Sequence, residues 1–361
     1  MQDILHVTEV LKGGPSSYLE EILPFQGLAF GSANVRVLIP CSQRGDLPSA
    51  NDLPTTEFDD SGSRTDHVRK LISAVRQLVK DRRPTVIHAH STFAGVAVRL
   101  ALRLVINPPP VVYCPHGWAF DREGAAWKNR VIAGIERLLA PFASKIVCIS
   151  EHDRQLAIRY GFDPKKLVVV LNGIRDVGTI APSTVSWPAN KKHLLFAGRF
   201  DRQKGVDIFL SAMARLGPDY FAYAIGDAAI GDAALPASIP ENVKLTGWIT
   251  RDQVQAYLAS TDVFVMPSRW EGFGLSALEA MRAGRTVVAS HVGGLPELVE
   301  DKVNGLLIEP NSVDSLVNAI ASLNADQIKE MGVQSRLRFT QKFQSDQMNA
   351  ALLRVYQDVC R

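Results

Sequence analysis

Short apolar, β-branched runs alternate with stretches of helical period along most of the chain. Residues 4–7 (ILHV), 35–39 (VRVLI), 85–89 (TVIHA), 111–114 (VVYC), 145–149 (KIVCI) and 167–171 (LVVVL) read as strands. Between them, residues 66–81 place Val68, Leu71, Ile72, Val75, Leu78 and Val79 at helical spacing, and 126–142 is a second amphipathic stretch. Strands that are apolar at nearly every position suit parallel sheets covered on both faces, because alternation would appear if one face met water. The strand–helix alternation is that of a doubly wound α/β fold.

The pattern breaks at 176–192, which holds two prolines, a glycine and small polar residues without helical period, and reads as a linker. It then restarts with strand candidates at 193–198, 220–226, 243–247, 263–268, 286–290 and 305–310. Two Rossmann-like domains follow, over 1–180 and 190–344, and a cleft onto which their strand ends face is the expected ligand site.

Composition narrows the class. The 361 residues are 46% hydrophobic and 21% charged, ordinary for a globular protein, with a net charge of +3. That excess is too small to imply nucleic acid. Residues 1–182 hold 22 Lys and Arg against 18 Asp and Glu, so the N-terminal half is the basic one. Four scattered cysteines form no C-x-x-C, which argues against a zinc knuckle or redox pair. Cys41, Cys114 and Cys148 sit in strand-like runs and are expected to be buried free thiols, suiting a reducing compartment. The N-terminus carries no signal-peptide pattern, no run of about 18 apolar residues predicts a membrane span, and a cytoplasmic location is expected.

The most informative stretch is SRWEGFGLSALEAMRAG, 268–284. A helix over 275–283 is expected from its good helix formers, with Gly284 as the stop. Gly272 and Gly274 then form the turn from strand to helix, where free backbone N–H groups and the helix dipole cradle a phosphate. Glu271 precedes that turn and Glu279 lies more than one helical turn beyond it. A retaining glycosidase needs its carboxyls about 5 Å apart, so this pair reads instead as two grips on one long ligand. A strand–turn–helix with surface glutamates is the competing reading. In AGRFDRQKGVD, 197–207, Arg199 and Lys204 follow a strand and suit a pyrophosphate, although solvated basic residues in a turn are common. Gly13-Gly14 closes the first strand and opens a helix with Pro15 near its start. Neither G-x-G-x-x-G nor a P-loop occurs, which disfavours an NAD enzyme or a P-loop NTPase.

His88 and His90 end one strand and point to the same face, so a metal pair is conceivable, but no third ligand is evident and hydrogen-bonded structural histidines are favoured. His116, in a loop after the strand 111–114, is an active-site candidate.

Together, Gly13-Gly14, HAHS, PHG, CISE (148–151), LNGI (171–174), GRFDRQKG, PSRWEGFGLSALEAM and VGGLPELVEDKVNGLLIEP (292–310) closely resemble the retaining glycosyltransferases of family four, over nearly the whole chain. That resemblance implies the GT-B fold, with a helix over about 345–358 returning to the N-terminal domain. It implies Glu271 and His116 beside the donor sugar as catalytic groups, and Glu279 on the ribose. The amides of Gly272, Phe273, Gly274 and Leu275 would line the sugar and diphosphate, Arg199 and Lys204 would hold the diphosphate, and Gly14 would let the N-terminal domain close on it. It implies a UDP- or GDP-linked donor and retention by front-face attack. The sequence departs from the pattern at 225–232 (IGDAAIGD), at Thr286 and at Arg175.

Cations and helix N-termini can stabilise a leaving diphosphate without a metal, and no D-x-D motif occurs, so no metal or other cofactor is expected. Trp118, Phe120 and Trp127 lie among Arg and Lys in 118–139, a mixture suited to an anionic membrane surface. The expected acceptor is a saccharide, lipid-linked at the inner membrane face, for a bacterial surface polysaccharide. A nucleotide-sugar epimerase or phosphorylase of the same fold, and a non-catalytic nucleotide-sugar-binding protein, are the alternatives.

Overall fold

The structure, a computed structural model, describes residues 3–178, 185–227 and 238–361. It divides into two compact units, Met1–Gly173 with Ser345–Arg361, and Ile174–Gln344. Parts of the 176–192 and 225–232 segments lie outside the described residues.

In the first unit the chain runs through β1 (Ile4–Thr8), α1 (Gly14–Phe30), β2 (Val35–Pro40), β3 (Thr55–Phe58), α2 (Arg64–Asp81), β4 (Val86–His90), α3 (Thr92–Leu102), β5 (Val111–Cys114), α4 (Ala126–Leu139), β6 (Lys145–Cys148), α5 (Glu151–Arg159) and β7 (Leu167–Val169). The strands are all parallel, in the order β3-β2-β1-β4-β5-β6-β7. The winding reverses between β1 and β4, and a crevice forms at the carboxyl ends of strands at such a switch point. Every residue of β1, β2, β4 and β5 is buried, which is why these segments read as continuous apolar runs. The four-residue β3 pairs only along β2, is partly exposed and was not anticipated.

The second unit comprises β8 (Lys192–Ala197), α6 (Val206–Leu216), β9 (Tyr220–Ile225), β10 (Val243–Gly247), α7 (Arg251–Ser260), β11 (Val263–Met266), α8 (Leu275–Arg282), β12 (Thr286–Ser290), α9 (Leu295–Leu298), β13 (Gly305–Ile308), α10 (Val313–Ser322) and α11 (Ala325–Lys342). Its parallel order is β10-β9-β8-β11-β12-β13, with the switch between β8 and β11. The final helix, α12 (Ser345–Val359), is part of the first unit, where Asn349 donates to the Glu21 carbonyl at 3.1 Å.

A buried network sets the attitude of α4. The Arg99 guanidinium of α3 donates to Glu136 at 2.8 Å and stacks over the Tyr113 ring, whose hydroxyl also donates to Glu136 at 2.9 Å. A Cβ on Gly95 would lie 2.3 Å from that ring, so only glycine admits the stack. Breaking such a buried pair typically costs about 3–5 kcal/mol. The network holds Ala133, Glu136 and Leu139 of α4 inward, which leaves Trp127, Val131, Ile135 and Leu138 outward.

Two expectations are corrected. Trp118 and Phe120 are core residues, 2% exposed and stacked on each other, because the chain turns back under α4 before that helix starts; of the three aromatics only Trp127 faces out. Cys41 is exposed, since β2 ends at Pro40, whereas Cys114 and Cys148 are buried thiols.

Candidate functional site

In the second unit, two loops flank the switch point. The first follows β8 and carries Arg199 to Gly205; the second follows β11 and carries Ser268 to Gly274. They are cross-tied. The Arg269 guanidinium makes a fork onto Asp207 at 2.8 and 2.7 Å and donates to the Arg202 carbonyl at 2.8 Å. Its own amide donates to the Gln203 carbonyl, and Gln203 Nε2 to the Trp270 carbonyl. Gly205, with φ at 68°, packs where a Cβ would lie 2.2 Å from the Pro267 carbonyl oxygen. These ties bring Lys204 Nζ to 2.5 Å from Glu271 Oε2, both side chains largely buried. Two residues 67 positions apart in sequence become neighbours of opposite charge.

Arg199 is held less tightly. It reaches Asp201 at 2.8 Å and Gln203 at 2.8 Å, with about half its side chain exposed. Asp201 also accepts from the Lys204 amide at 2.9 Å, shaping the loop that presents both cations. Phe273 turns its ring into the core, edge-on to Phe343, so only its backbone is available to a ligand. Behind Glu271, a Cβ on Gly293 would lie 1.7 Å from the Glu271 carbonyl oxygen, so that turn sets the backbone position of the glutamate. Glu279 is the fifth residue of α8 and half-buried.

The glycine-headed helices differ from their neighbours. α2, α5, α7, α10 and α11 begin at Ser63, Ser150, Thr250, Ser312 and Asn324, whose side chains accept from first-turn N–H groups. α1, α6 and α8 begin at Gly13, Gly205 and Gly274, which have no side chain to do so. The first turns of α1 and α8 carry no side-chain cap and suit a ligand anion, whereas in α6 the Asp207 carboxylate accepts from the Asp207 and Ile208 N–H groups. Gly274 takes φ 102°, a conformation side-chain-bearing residues rarely adopt.

In the first unit, the switch-point strands carry neutral rather than charged chemistry. His6 of β1 and His88 and His90 of β4 are fully buried and clustered. His6 Nδ1 meets His90 Nε2 at 3.0 Å, His90 Nδ1 meets His116 Nε2 at 3.1 Å, and His116 Nδ1 faces the Cys114 thiol at 3.6 Å. On the other side His6 Nε2 meets Gln26 Oε1 at 2.7 Å, Gln26 donates to the Tyr356 hydroxyl at 3.2 Å, and that hydroxyl meets His88 Nδ1 at 2.7 Å. Burial holds His116 down to about 3 and His6 down to about 4, the latter partly offset by its bond to Gln26. Burial also keeps His88 and His90 well below the usual range. His116 keeps some exposed surface and takes φ 56° in the loop after β5. Nearby, Glu9 accepts from Ser91 at 3.2 Å, and desolvation raises its pKa.

His6 supplies the third nitrogen that the sequence did not reveal, and His6, His88 and His90 could together hold a metal ion. In the structure the ring nitrogens of His6 and His90 are already engaged with each other, with Gln26 and with His116, so an ion would have to displace those hydrogen bonds. His6, Gln26, Tyr356, Glu9 and Arg269 were missed by sequence reasoning. The first three are far apart in the chain, and no motif marks them. Arg269, two residues before Glu271 in a turn, is the one whose position offered a signal.

Residues 13–173 match the family described as "Glycosyl transferase 4-like domain", and residues 181–343 the family described as "Glycosyl transferases group 1". The Escherichia coli protein named UDP-Gal:alpha-D-GlcNAc-diphosphoundecaprenol alpha-1,3-galactosyltransferase is 29% identical over 72% of this chain and 71% of its own. The alpha-maltose-1-phosphate synthase of Mycolicibacterium smegmatis is 30% identical over 76% of this chain and 79% of its own. Anabaena HepE, solved in complex with UDP-glucose, shares the fold with a TM-score of 0.80 at 21% identity, over 99% of this chain and 100% of that one. The chain belongs to the group 1, family-4-like glycosyltransferases, and its two doubly wound units are those of the GT-B fold.

Proposed function

We propose that this glycosyltransferase moves a sugar from a UDP- or GDP-linked donor to a lipid-linked saccharide, with retention of configuration and without a metal, in the building of a surface polysaccharide. The observation that carries this reading is the Lys204–Glu271 pair beside the uncapped start of α8. Breaking a sugar–phosphate bond puts negative charge on the leaving diphosphate. Lys204, Arg199 and the N–H groups of Gly274 and Leu275 receive that charge from fixed positions, which is where electrostatic stabilisation is largest. Glu271 takes hydroxyls of the transferred sugar and Glu279 those of the ribose, while the Gly272–Phe273 backbone lines the sugar. On the first unit, His116 is assigned to the transferred sugar and the Gly13-Gly14 turn to the diphosphate. The relatives named for UDP-galactose transfer to a diphosphoundecaprenol-linked sugar and for UDP-glucose binding support a nucleotide-sugar donor and a lipid-linked acceptor.

The outward face of α4 supports a membrane-bound acceptor. Trp127, Val131, Ile135 and Leu138 are 63%, 53%, 50% and 74% exposed, and follow one another at helical spacing. Lys128 lies on one side of this stripe and Arg130 and Arg137 on the other. An apolar stripe rimmed by cations suits an anionic lipid surface. The basic helix α2 has no such stripe, since Leu71, Val75 and Val79 face the core. No helix of the described residues is long and apolar enough to cross a membrane.

The test incubates purified protein with UDP- and GDP-sugars, a diphosphate-lipid-linked saccharide and EDTA, and reads the product linkage by NMR. Transfer with the donor's anomeric configuration is expected, together with sedimentation on anionic liposomes that Leu138→Glu abolishes. Transfer that requires added divalent metal, an inverted linkage, or donor interconversion without acceptor would each sink a named part of the reading.

A further inference from the structure

We propose that Gln26 sets the direction of a hydrogen-bond chain through the core of the first unit and thereby holds His116 as its Nε2–H tautomer, making Gln26 a positioning residue for that histidine. The functional half of this inference rests on the assignment of His116 to the transferred sugar made above.

The chain runs Cys114, His116, His90, His6, Gln26, Tyr356, His88, with consecutive contacts of 3.6, 3.1, 3.0, 2.7, 3.2 and 2.7 Å. A neutral imidazole has one N–H and one lone pair. His6, His90 and His116 each use both ring nitrogens within the chain, so each must donate at one link and accept at the other. Fixing one tautomer therefore fixes all three.

The amide of Gln26 is the member that breaks the symmetry, because its oxygen only accepts and its nitrogen only donates. With Oε1 against His6, His6 carries its proton on Nε2 and accepts at Nδ1. His90 must then donate from Nε2 and accept at Nδ1, and His116 must donate from Nε2. The Nδ1 lone pair of His116 is left facing only the Cys114 thiol, a weak donor. At the other end the Tyr356 hydroxyl accepts from the amide and donates to His88 Nδ1. His88 Nε2–H is then a buried donor without a partner among the described residues.

Turning the amide over would reverse every link. His116 would then carry its proton on Nδ1 and aim it at sulfur, a poor acceptor. The two arrangements give His116 Nδ1, whose contact within the chain is the loose 3.6 Å one to the Cys114 thiol, opposite polarity: a lone pair in one, an N–H in the other. The residue that selects between them lies in α1, two imidazoles removed from His116. Burial keeps the rings neutral, which preserves the one-donor, one-acceptor rule along the chain.

The test uses the full chain with ¹⁵N-labelled histidine at neutral pH, without substrate. Two-bond ¹⁵N–¹H correlations report the tautomer of each ring, assigned through single His→Gln variants. His6, His90 and His116 are expected to be protonated at Nε2 together. Gln26→Glu keeps an acceptor against His6 and is expected to preserve the pattern. Gln26→Met removes it, and His116 is expected to show both tautomers. Rings of differing tautomer in the unmutated protein would overturn the chain without any variant having to fold. An unchanged His116 in folded Gln26→Met, or stoichiometric zinc bound to the purified protein, would also overturn it. With donor and acceptor present, Gln26→Met should lower kcat about tenfold with KM within about threefold. A shifted tautomer with unchanged kcat would overturn the positioning role, while the substrate-free tautomer pattern stands or falls independently of whether transfer occurs.

Discussion

The two switch-point regions solve the same problem with opposite chemistry. In the second unit the polar groups are ions held apart from their loops' flexibility by cross-ties: Arg269 onto Asp207, and Lys204 onto Glu271. In the first unit the polar groups are uncharged imidazoles sealed in the sheet, each satisfied by the next. The Lys204 ammonium can be redirected from Glu271 onto a ligand diphosphate because it exchanges one anionic partner for another. Neutral groups in a dry core cannot be recharged cheaply, and so hold one arrangement. The first kind of site suits binding a polyanion, the second suits fixing the geometry of a single contact.

Acid should separate the two units most strongly. The folded pKa values of His6, His88 and His90 lie below their unfolded value of about 6.5, so the unfolded chain binds protons first. Their contribution is intact above that pH and is lost as pH falls toward about 4. The slope is about 1.4 kcal/mol per histidine per pH unit, so about 4 kcal/mol per unit for the three. The second unit behaves differently. Hydrogen bonds from Arg336 lower the Asp176 pKa, and for Asp207 the bonds and charge of Arg269 outweigh burial, which would raise it. Those contributions fade only below the ordinary aspartate range of about 3.9. Hydrogen exchange, corrected for intrinsic rate, should show β1 and β4 opening far more at pH 5 than at pH 7, with β8 and β11 nearly unchanged. Equal loss in both units would break the comparison.

Next in size is the effect of the second unit's cations on turnover. Lys204→Ala should lower kcat/KM by about 10²–10³, the range seen when a preorganised donor to developing charge is removed. Arg199→Ala should cost less, about tenfold, because its side chain is half exposed and the screened charge does less work. Steady-state kinetics with a fixed acceptor checks both. A larger loss for Arg199 than for Lys204 would reverse the ranking that burial predicts.

How legible these regions were in the sequence follows from the same contrast. The strands 111–114, 243–247 and 286–290 carry the expected bounds; the first and last are buried runs rich in β-branched residues, which signal themselves locally. The glycine turns before α1 and α8 were legible too, because a positive φ demands glycine at one position. The Lys204–Glu271 contact was not, although each residue was singled out, because nothing local fixes a distance across 67 residues. The histidine chain was the least visible. It joins β1, β4, the loop after β5, α1 and α12, and Gln26 and Tyr356 look like ordinary positions of amphipathic helices. Strand β3 escaped because TTEF is short, half-exposed and mixed in polarity, so neither periodicity applies.

The smallest expected effect separates the two glutamates of the 268–284 stretch. Glu279 sits in α8 beyond the uncapped turn, where the proposed contact is a hydrogen bond from the ribose to a carboxylate. Such bonds contribute about 1.5–3 kcal/mol, so Glu279→Ala should weaken the affinity for free UDP or GDP at least tenfold, measured by calorimetry. Glu271→Ala should do the opposite. In the free protein Lys204 Nζ rests 2.5 Å from Glu271 Oε2, and a diphosphate must compete with that carboxylate for the ammonium. Removing the carboxylate frees Lys204, so the nucleoside diphosphate should bind as tightly as before or tighter, while turnover falls because the sugar loses its grip. Weakened diphosphate binding in Glu271→Ala, with Glu279→Ala unaffected, would exchange the two roles and place the ribose at the wrong end of the turn.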